Sequence, residues 1–491
     1  MLPTRQNDTS PIFTKSSFTI FILIICLYVA VRLWRLDAFG LWTDEVFSVN
    51  VARFSWAGMI PFVAQDVVHP PLFYLLLKVW IGVGGESLLW LRLLPALTAI
   101  AIIIPLFLIC RELKLSATEI NTAFILVATN SYLVYYAQEL RMYSLLLFFT
   151  LFSLWLFARV IGGRDNAKIL LPALFLVNLL LIYTQYFGWL VVGVEFVYVL
   201  LWSRQRLLSF AIIIAALAFC FAPWVYIVSR AASEKLGLGE HLGWLARPRV
   251  SDLVWYYATL HGSFDVQRTT TLSVFIFGCP LLLWSWRVLR GEESKARGIA
   301  FWMLMLSSFL PVIFVFTASQ ILPQSIWGER YLIIAAVPYL ILVAAATHQL
   351  PYARVRIIVM SLIISWATVS NLYGLTGDDR KLHWDTLAHT MMKVESAQAK
   401  NVKIYTIENF VASPLRFFLE SSGERRFDVV VVKDITDLHE AHFWVAFRNT
   451  TWHAEPLPQT ILREAGCLVG QEFHVSDRAQ RITLFSTECG K

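Results

Sequence analysis

Apolar stretches of about 20 residues recur from Phe18 to about Tyr373, and each is long enough to cross a hydrocarbon layer of roughly 30 Å as a helix. The runs are continuous and do not alternate with period two, so they do not describe the strands of a membrane barrel. Composition agrees. Of 491 residues, 57% are hydrophobic and 15% charged, whereas a globular protein carries about a quarter charged residues, so a soluble core of this size would lack a polar wrapping. The chain reads as an α-helical polytopic membrane protein with about 11 to 13 transmembrane helices, at about 20 residues per span. The net charge of +7 does not point to nucleic acid, because Lys and Arg are scattered in short inter-helix clusters.

Composition changes near Asn371. Roughly 25% of the later residues are Asp, Glu, Lys or Arg, against about 12% before. The reading is a transmembrane domain over residues 1–373, with a first outward loop over about 36–70, and a soluble α/β domain over residues 374–491. In that tail KIYTIE (403–408), FDVVVV (427–432), FWVAFR (443–448) and ITLFST (482–487) read as strands, and SPLRFFLESSG (413–423) as a helix.

Orientation follows from the basic clusters, which mark cytoplasmic loops. These lie at Arg111 to Lys114, Arg164 to Lys168, Arg204 to Arg206, Arg287 to Arg297 and Arg354 to Arg356. The first loop, the turns near Gln138 to Arg141 and Gln185 to Gly188, the stretches Ala231 to Thr270 and Gln320 to Arg330, and the tail then face outward. One parity conflict remains. Pro71 to Cys110 holds two apolar helices where a single crossing is needed, so either one is a half-helix or one orientation is wrong. The N-terminal apolar run lacks a following cleavage site and reads as an anchor. Cys26, Cys110, Cys220 and Cys279 lie in apolar segments and read as packing. Cys467 and Cys489 share the outward tail, where thiols oxidise, and are expected to form a disulfide. No Cys-x-x-Cys, His-Glu-x-x-His, Walker loop or dinucleotide turn occurs.

Ionisable residues at membrane level mark sites or pathways. The densest outward cluster is LWTDEVFSV, with Asp44 and Glu45, continuing into QDVVHPPLFYLLLK, with Asp66, His69 and Lys78. YYAQELRMY adds Gln138, Glu139, Arg141 and Tyr143, which as a bland alternative read as interfacial anchors. YTQYFG adds Gln185 and Tyr186, and IWGERYLIIAAVPYL adds Glu329 and Arg330. Carboxylates that accept a proton and guanidinium groups that bind phosphate bidentately are what sugar transfer from a lipid phosphate needs.

In this order the segments resemble the GT-C superfamily of integral-membrane glycosyltransferases, with most likeness to bacterial relatives of the dolichyl-phosphate-mannose protein mannosyltransferases and of the lipid A aminoarabinose transferase. The resemblance covers about Leu33 to Pro338. It implies an inverting hexosyl- or pentosyltransferase that uses a polyprenyl-phosphate-linked sugar on the non-cytoplasmic face, expected to be the periplasmic side of a bacterial inner membrane. The acceptor is a lipid, glycan or protein. Asp44 matches the proposed base, with Glu45 beside it. His69, Arg141, Arg330 and Lys78 are the candidates for donor phosphate, with His69 weakly cationic near neutral pH. Asp66, Gln138, Tyr143, Gln185, Tyr186 and Glu329 are the candidates for acceptor or sugar. The third motif departs from the family form, having Gln185 where a His is expected, so only hydrogen bonding is available there. No cofactor is required, although Asp44 and Asp66 are the ligands to test for Mg or Mn. The rival readings are a transporter or flippase of a lipid-linked sugar, which needs no base, and a non-catalytic scaffold.

Overall fold

The computed structural model describes residues 13–163, 167–234, 245–262, 266–376, 384–395, 401–432, 440–449, 457–476 and 481–489. Parts of the Arg164 to Lys168 cluster and of the Ala231 to Thr270 stretch lie outside the described residues. The chain forms two compact units, one of residues 1–34, 55–76 and 93–375, the other of residues 35–54, 77–92 and 376–491.

Among the described residues, eight helical stretches are long and apolar enough to cross a membrane, from Lys15–Leu33 to Ala353–Leu372, and four shorter apolar helices accompany them. The chain is a multi-pass integral membrane protein. Its apolar segments divide by what they meet. The Glu329–His348 span is 94% buried over its apolar window, whereas Lys15–Leu33 and Arg204–Ser233 are 22% buried. A helix apolar on every side belongs inside a bundle, and Ile333–His348 is such a helix, with every residue from Ile333 to Thr347 buried. The others turn large side chains such as Leu208 and Phe219 outward, a surface that suits lipid and not water.

The parity conflict is met by helix length. Leu72–Gly84 has 13 residues, about 20 Å at 1.5 Å per residue, too short for a full hydrocarbon crossing. Leu88–Glu112 runs for 25 residues. Between them the indoles of Trp80 and Trp90 stack at 4.2 Å, and each ring N–H donates to the other residue's carbonyl. Gly84 is required there, because a Cβ would meet the Trp90 ring at 2.1 Å.

The second unit is built on a five-stranded sheet of order β2-β1-β3-β5-β4, with β1 Val402–Thr406, β2 Phe427–Val431, β3 His442–Arg448, β4 Cys467–Ser476 and β5 Arg481–Cys489. Strand β1 pairs in parallel with β2 and β3, and β5 pairs antiparallel with β3 and β4. The helix Asn409–Ser421 makes the crossover from β1 to β2, and Leu415 and Leu419 join Trp384, Trp444 and Leu484 in the core. The four strands expected from sequence are β1, β2, β3 and β5. Strand β4 escaped because it is a half-exposed edge whose register shifts between Val469 and Glu472, which destroys the alternation a strand reading needs. Cys467 and Cys489 are bonded as a disulfide between β4 and β5.

The compact units also differ from the expected linear division. The first-loop helix Thr43–Arg53 belongs with the tail. Thr43 Oγ1 donates to the Phe410 carbonyl at 2.7 Å, and a Cβ on Gly40 would meet the Phe418 ring at 2.4 Å. The first loop is thus packed on the crossover helix.

Candidate active site

In the membrane unit the helix Trp56–Asp66 stops because Val67 turns into the left-handed region, at φ 61°. Pro70 and Pro71 then begin the next helix, with Leu75 N–H donating to the Pro71 carbonyl. Proline at a helix start costs no backbone bond and holds the residue before it extended. His69 is fixed by this turn. Its Nδ1 lies 2.9 Å from Asp66 Oδ2, and its Nε2 lies 3.1 Å from Arg141 Nη2. The same Arg141 Nη2 lies 3.4 Å from His69 Nδ1, so the guanidinium stands against the imidazole ring and not along the lone pair of one nitrogen, while Nδ1 faces the Asp66 carboxylate. Arg141 also donates to Tyr74 Oη at 3.4 Å. The result is a close cluster of guanidinium, imidazole and carboxylate.

Burial first, and the Arg141 charge second, push the His69 imidazole from its ordinary 6.5 to about 4, against the opposing pull of Asp66. His69 is therefore uncharged at neutral pH. The expected weak cation is corrected by the structure: a buried imidazole beside a guanidinium does not keep a second proton.

Tyr331 connects this cluster to the neighbouring groups. Its ring lies 6.0 Å from His69, 5.3 Å from Phe187 and 6.3 Å from Tyr143, and the Arg330 guanidinium stands 5.2 Å from its centroid. Gly328 allows this, since a Cβ there would meet the Tyr331 ring at 2.6 Å. Tyr143 is fully buried, and among the described residues its hydroxyl has no hydrogen-bond partner. Beside Tyr331 opens a cavity of about 330 Å³, lined mainly by apolar side chains including Val67, Val68, Phe187 and Phe314, with Gln185 and Tyr186 as its polar contributors. The Gln185 side-chain carbonyl accepts from the Tyr186 N–H. The Tyr186 hydroxyl accepts from Trp224 Nε1 at 3.0 Å, and burial raises it to about 12, so it stays protonated.

Other expected site residues are engaged elsewhere. Gln138 spends its amide on the last carbonyls of the first helix, reaching Trp34 O at 2.8 Å. Glu139 and Arg141 are 0% and 2% exposed, which is unlike interfacial anchors. The Glu329 side chain is exposed and its carbonyl accepts from Tyr132.

Asp44, Glu45 and Lys78 lie in the second unit. Asp44 is half-buried in the first turn of Thr43–Arg53, where a carboxylate is favoured by the helix dipole. Glu45 is fully buried. Its Oε2 accepts from Arg92 Nη2 at 2.9 Å and from the Trp42 N–H at 3.2 Å. Lys78 donates to Ala52 O and Phe54 O, capping the end of the same helix. Glu45 and Lys78 thus tie the two ends of Thr43–Arg53 to their neighbours.

Sequence reading passed over Tyr74, Tyr331 and Arg92. Arg92 had a signal, an arginine inside the apolar run LLWLRLLP. Tyr74 and Tyr331 had none, since a tyrosine at a span end reads as an aromatic belt.

Among the described residues no three His, Cys, Asp or Glu side chains gather as a metal-binding group. Asp66, one of the two candidate ligands, gives an oxygen to His69. An oxygen shared with an imidazole is not the oxygen-rich shell that Mg or Mn takes.

No family model and no curated protein matches the chain. Solved structures do. ArnT from Cupriavidus metallidurans bound to undecaprenyl phosphate is 14% identical with TM-score 0.58, over 96% of this chain and 98% of that one. Its apo state gives 13% and 0.57 over the same shares. The archaeal oligosaccharyltransferase AglB from Archaeoglobus fulgidus, in complex with an inhibitory peptide and a dolichol-phosphate, is 12% identical with TM-score 0.51, over 84% of this chain and 64% of that one. Identity this low speaks for architecture and not for activity. By its architecture, this chain is an integral-membrane protein of the GT-C fold.

Proposed function

We propose that the chain is an inverting glycosyltransferase that moves one sugar, a hexose or a pentose, from a polyprenyl phosphate to an acceptor on the non-cytoplasmic face of a membrane. The observation that carries this reading is the Arg141–His69–Asp66 cluster, whose His69 ring lies 6.0 Å from Tyr331 on the wall of an apolar cavity. A guanidinium beside an apolar chamber suits a lipid phosphate, which needs charge for its head and hydrocarbon for its tail. Similar folds in ArnT and AglB, solved with undecaprenyl phosphate and dolichol-phosphate, support the same ligand class here. A bacterial inner membrane with the site on the periplasmic side fits the distribution of basic loops.

In this mechanism Arg141 and Arg330 hold the phosphate. The acceptor hydroxyl or amine gives its proton to a carboxylate, the part that the family resemblance assigns to Asp44, as that atom attacks the anomeric carbon from the face opposite the phosphate. The new glycosidic bond forms as the bond from the anomeric carbon to the phosphate oxygen breaks. The electron pair leaves with the lipid phosphate, where the guanidinium groups stabilise the growing charge. Neutral His69 adds no charge. It holds Arg141, and Asp66 holds it.

The test is mass analysis of products from a panel of polyprenyl-phosphate sugars, with and without chelator. Transfer by the purified protein, lost in Asp44→Asn without loss of membrane insertion, supports the reading. Full activity of Asp44→Asn removes the base. Sugar translocation with no transfer supports the transporter.

A further inference from the structure

Several buried carboxyls have no part in the proposed reaction, and one of them lies among apolar helices with only two polar side chains beside it. Glu195, in the apolar helix Gly188–Trp202, is 1% exposed, and Ser153 and Asn178 from two neighbouring helices are fully buried against it. Ser153 Oγ lies 2.5 Å from Glu195 Oε1 and 2.5 Å from Asn178 Oδ1, and Asn178 Nδ2 lies 2.9 Å from Glu195 Oε2. Among the described residues its carboxyl meets these two polar side chains and no cationic one.

Three contacts close this ring, and each needs one hydrogen. Ser153 supplies one. Asn178 supplies one, because only one end of its amide carries hydrogens, whichever way the group is turned. A carboxylate supplies none, which would leave two oxygens facing each other with no proton between them. We infer that Glu195 is held as a neutral carboxylic acid that supplies the third hydrogen and closes a clasp across the helices Tyr143–Gly162, Ala167–Thr184 and Gly188–Trp202. Protonation also avoids the cost of an unpaired charge among apolar helices.

The clasp has a place in the proposed reaction, and to that extent rests on it. Counting 1.5 Å per residue, Ser153 lies about 15 Å below Tyr143, Asn178 about 9 Å below Thr184, and Glu195 about 10 Å below Gly188. These helix ends carry Tyr143 and the Gln185–Tyr186 turn beside the cavity. Glu195 is thus a positioning residue, fixing the relative height of three helices that carry site groups.

Glutamine offers the same pattern as a protonated acid, one donor and one acceptor, so Glu195→Gln keeps the ring. The experiment compares infrared spectra, melting temperature and sugar transfer for the wild type, Glu195→Gln, Glu195→Ala and Ser153→Ala in lipid. At neutral pH the wild type is expected to show the carbonyl stretch of a protonated carboxylic acid, which Glu195→Gln removes while keeping the wild-type melting temperature and turnover. Glu195→Ala and Ser153→Ala are expected to melt lower and to lose about 100-fold in turnover through misplacement of the site helices. Loss of a carboxylate band in Glu195→Gln, or a Gln variant as impaired as the Ala variant, overturns the proposal. The infrared and melting measurements need no sugar donor, so the clasp stands or falls even where no transfer is found.

Discussion

Two regions join a carboxylate to a guanidinium, and their surroundings give them different work. In the second unit Glu45 and Arg92 meet directly at 2.9 Å, and are 0% and 1% exposed. Arg92 also donates to the carbonyls of Leu36 and Gly40. In the membrane unit a neutral imidazole stands between Arg141 and Asp66, beside a cavity, and the Asp66 side chain remains 23% exposed. The first arrangement ties a loop to a helix. The second leaves a carboxylate within reach of solvent, next in sequence to the cavity-lining Val67 and Val68. Residue type alone would not have separated them, because accessibility decides which pair meets a substrate.

This contrast breaks most readily at Arg92. Arg92→Ala leaves the Glu45 carboxylate and two carbonyls buried without their donor, and is expected to cost about 3–5 kcal/mol of stability. The melting temperature and limited proteolysis of the second unit read the loss. An unchanged melt would mean that the pair is not structural.

A second break is acidic. The folded pKa of His69 is lowered to about 4 from 6.5, so its stability contribution is complete above about pH 6.5 and is lost as pH falls towards 4. Full loss amounts to about 3 kcal/mol on this shift, as an order of magnitude. Melting curves between these limits should show a steeper decline in the wild type than in His69→Gln, and parallel declines would refute the assignment.

At Arg141 the effect should appear in catalysis. Arg141→Lys keeps the charge but loses the planar fork, and a fall in kcat/KM of about 100-fold is expected with a nearly unchanged melting temperature. A large drop in melting temperature without that catalytic signature would make Arg141 a second Arg92. The mildest change is Gly328→Ala, which drives a methyl towards the Tyr331 ring and should cost about 1 kcal/mol, near the lower end for overpacking. A raised KM for the lipid donor would tie that ring to the cavity.

Much of the architecture was readable in order. Continuous apolar runs gave the spans, and the change in charge density near Asn371 marked the tail. Alternation gave four of the five strands, and two cysteines sharing the outward tail gave the disulfide. The site was readable as a set of residues but not as a set of bonds. Asp66 and His69 are three positions apart, so a shared turn was a natural expectation, but the partner of His69 lies 72 positions away. Glu45 and Lys78 carried the same signal as Asp44, since a charge in an outward loop looks alike whether it binds substrate or caps a helix.

The sequence by itself determined that this chain enters a membrane, because apolar length and hydration cost are properties of segments. It also determined which polar residues stand near the ends of those segments. Only the tertiary structure decided that His69 is neutral, that Glu45 belongs to Arg92, and that Ser153 and Asn178 close a ring with Glu195. Charge state and role depend on what surrounds a group, and those neighbours come from distant parts of the chain.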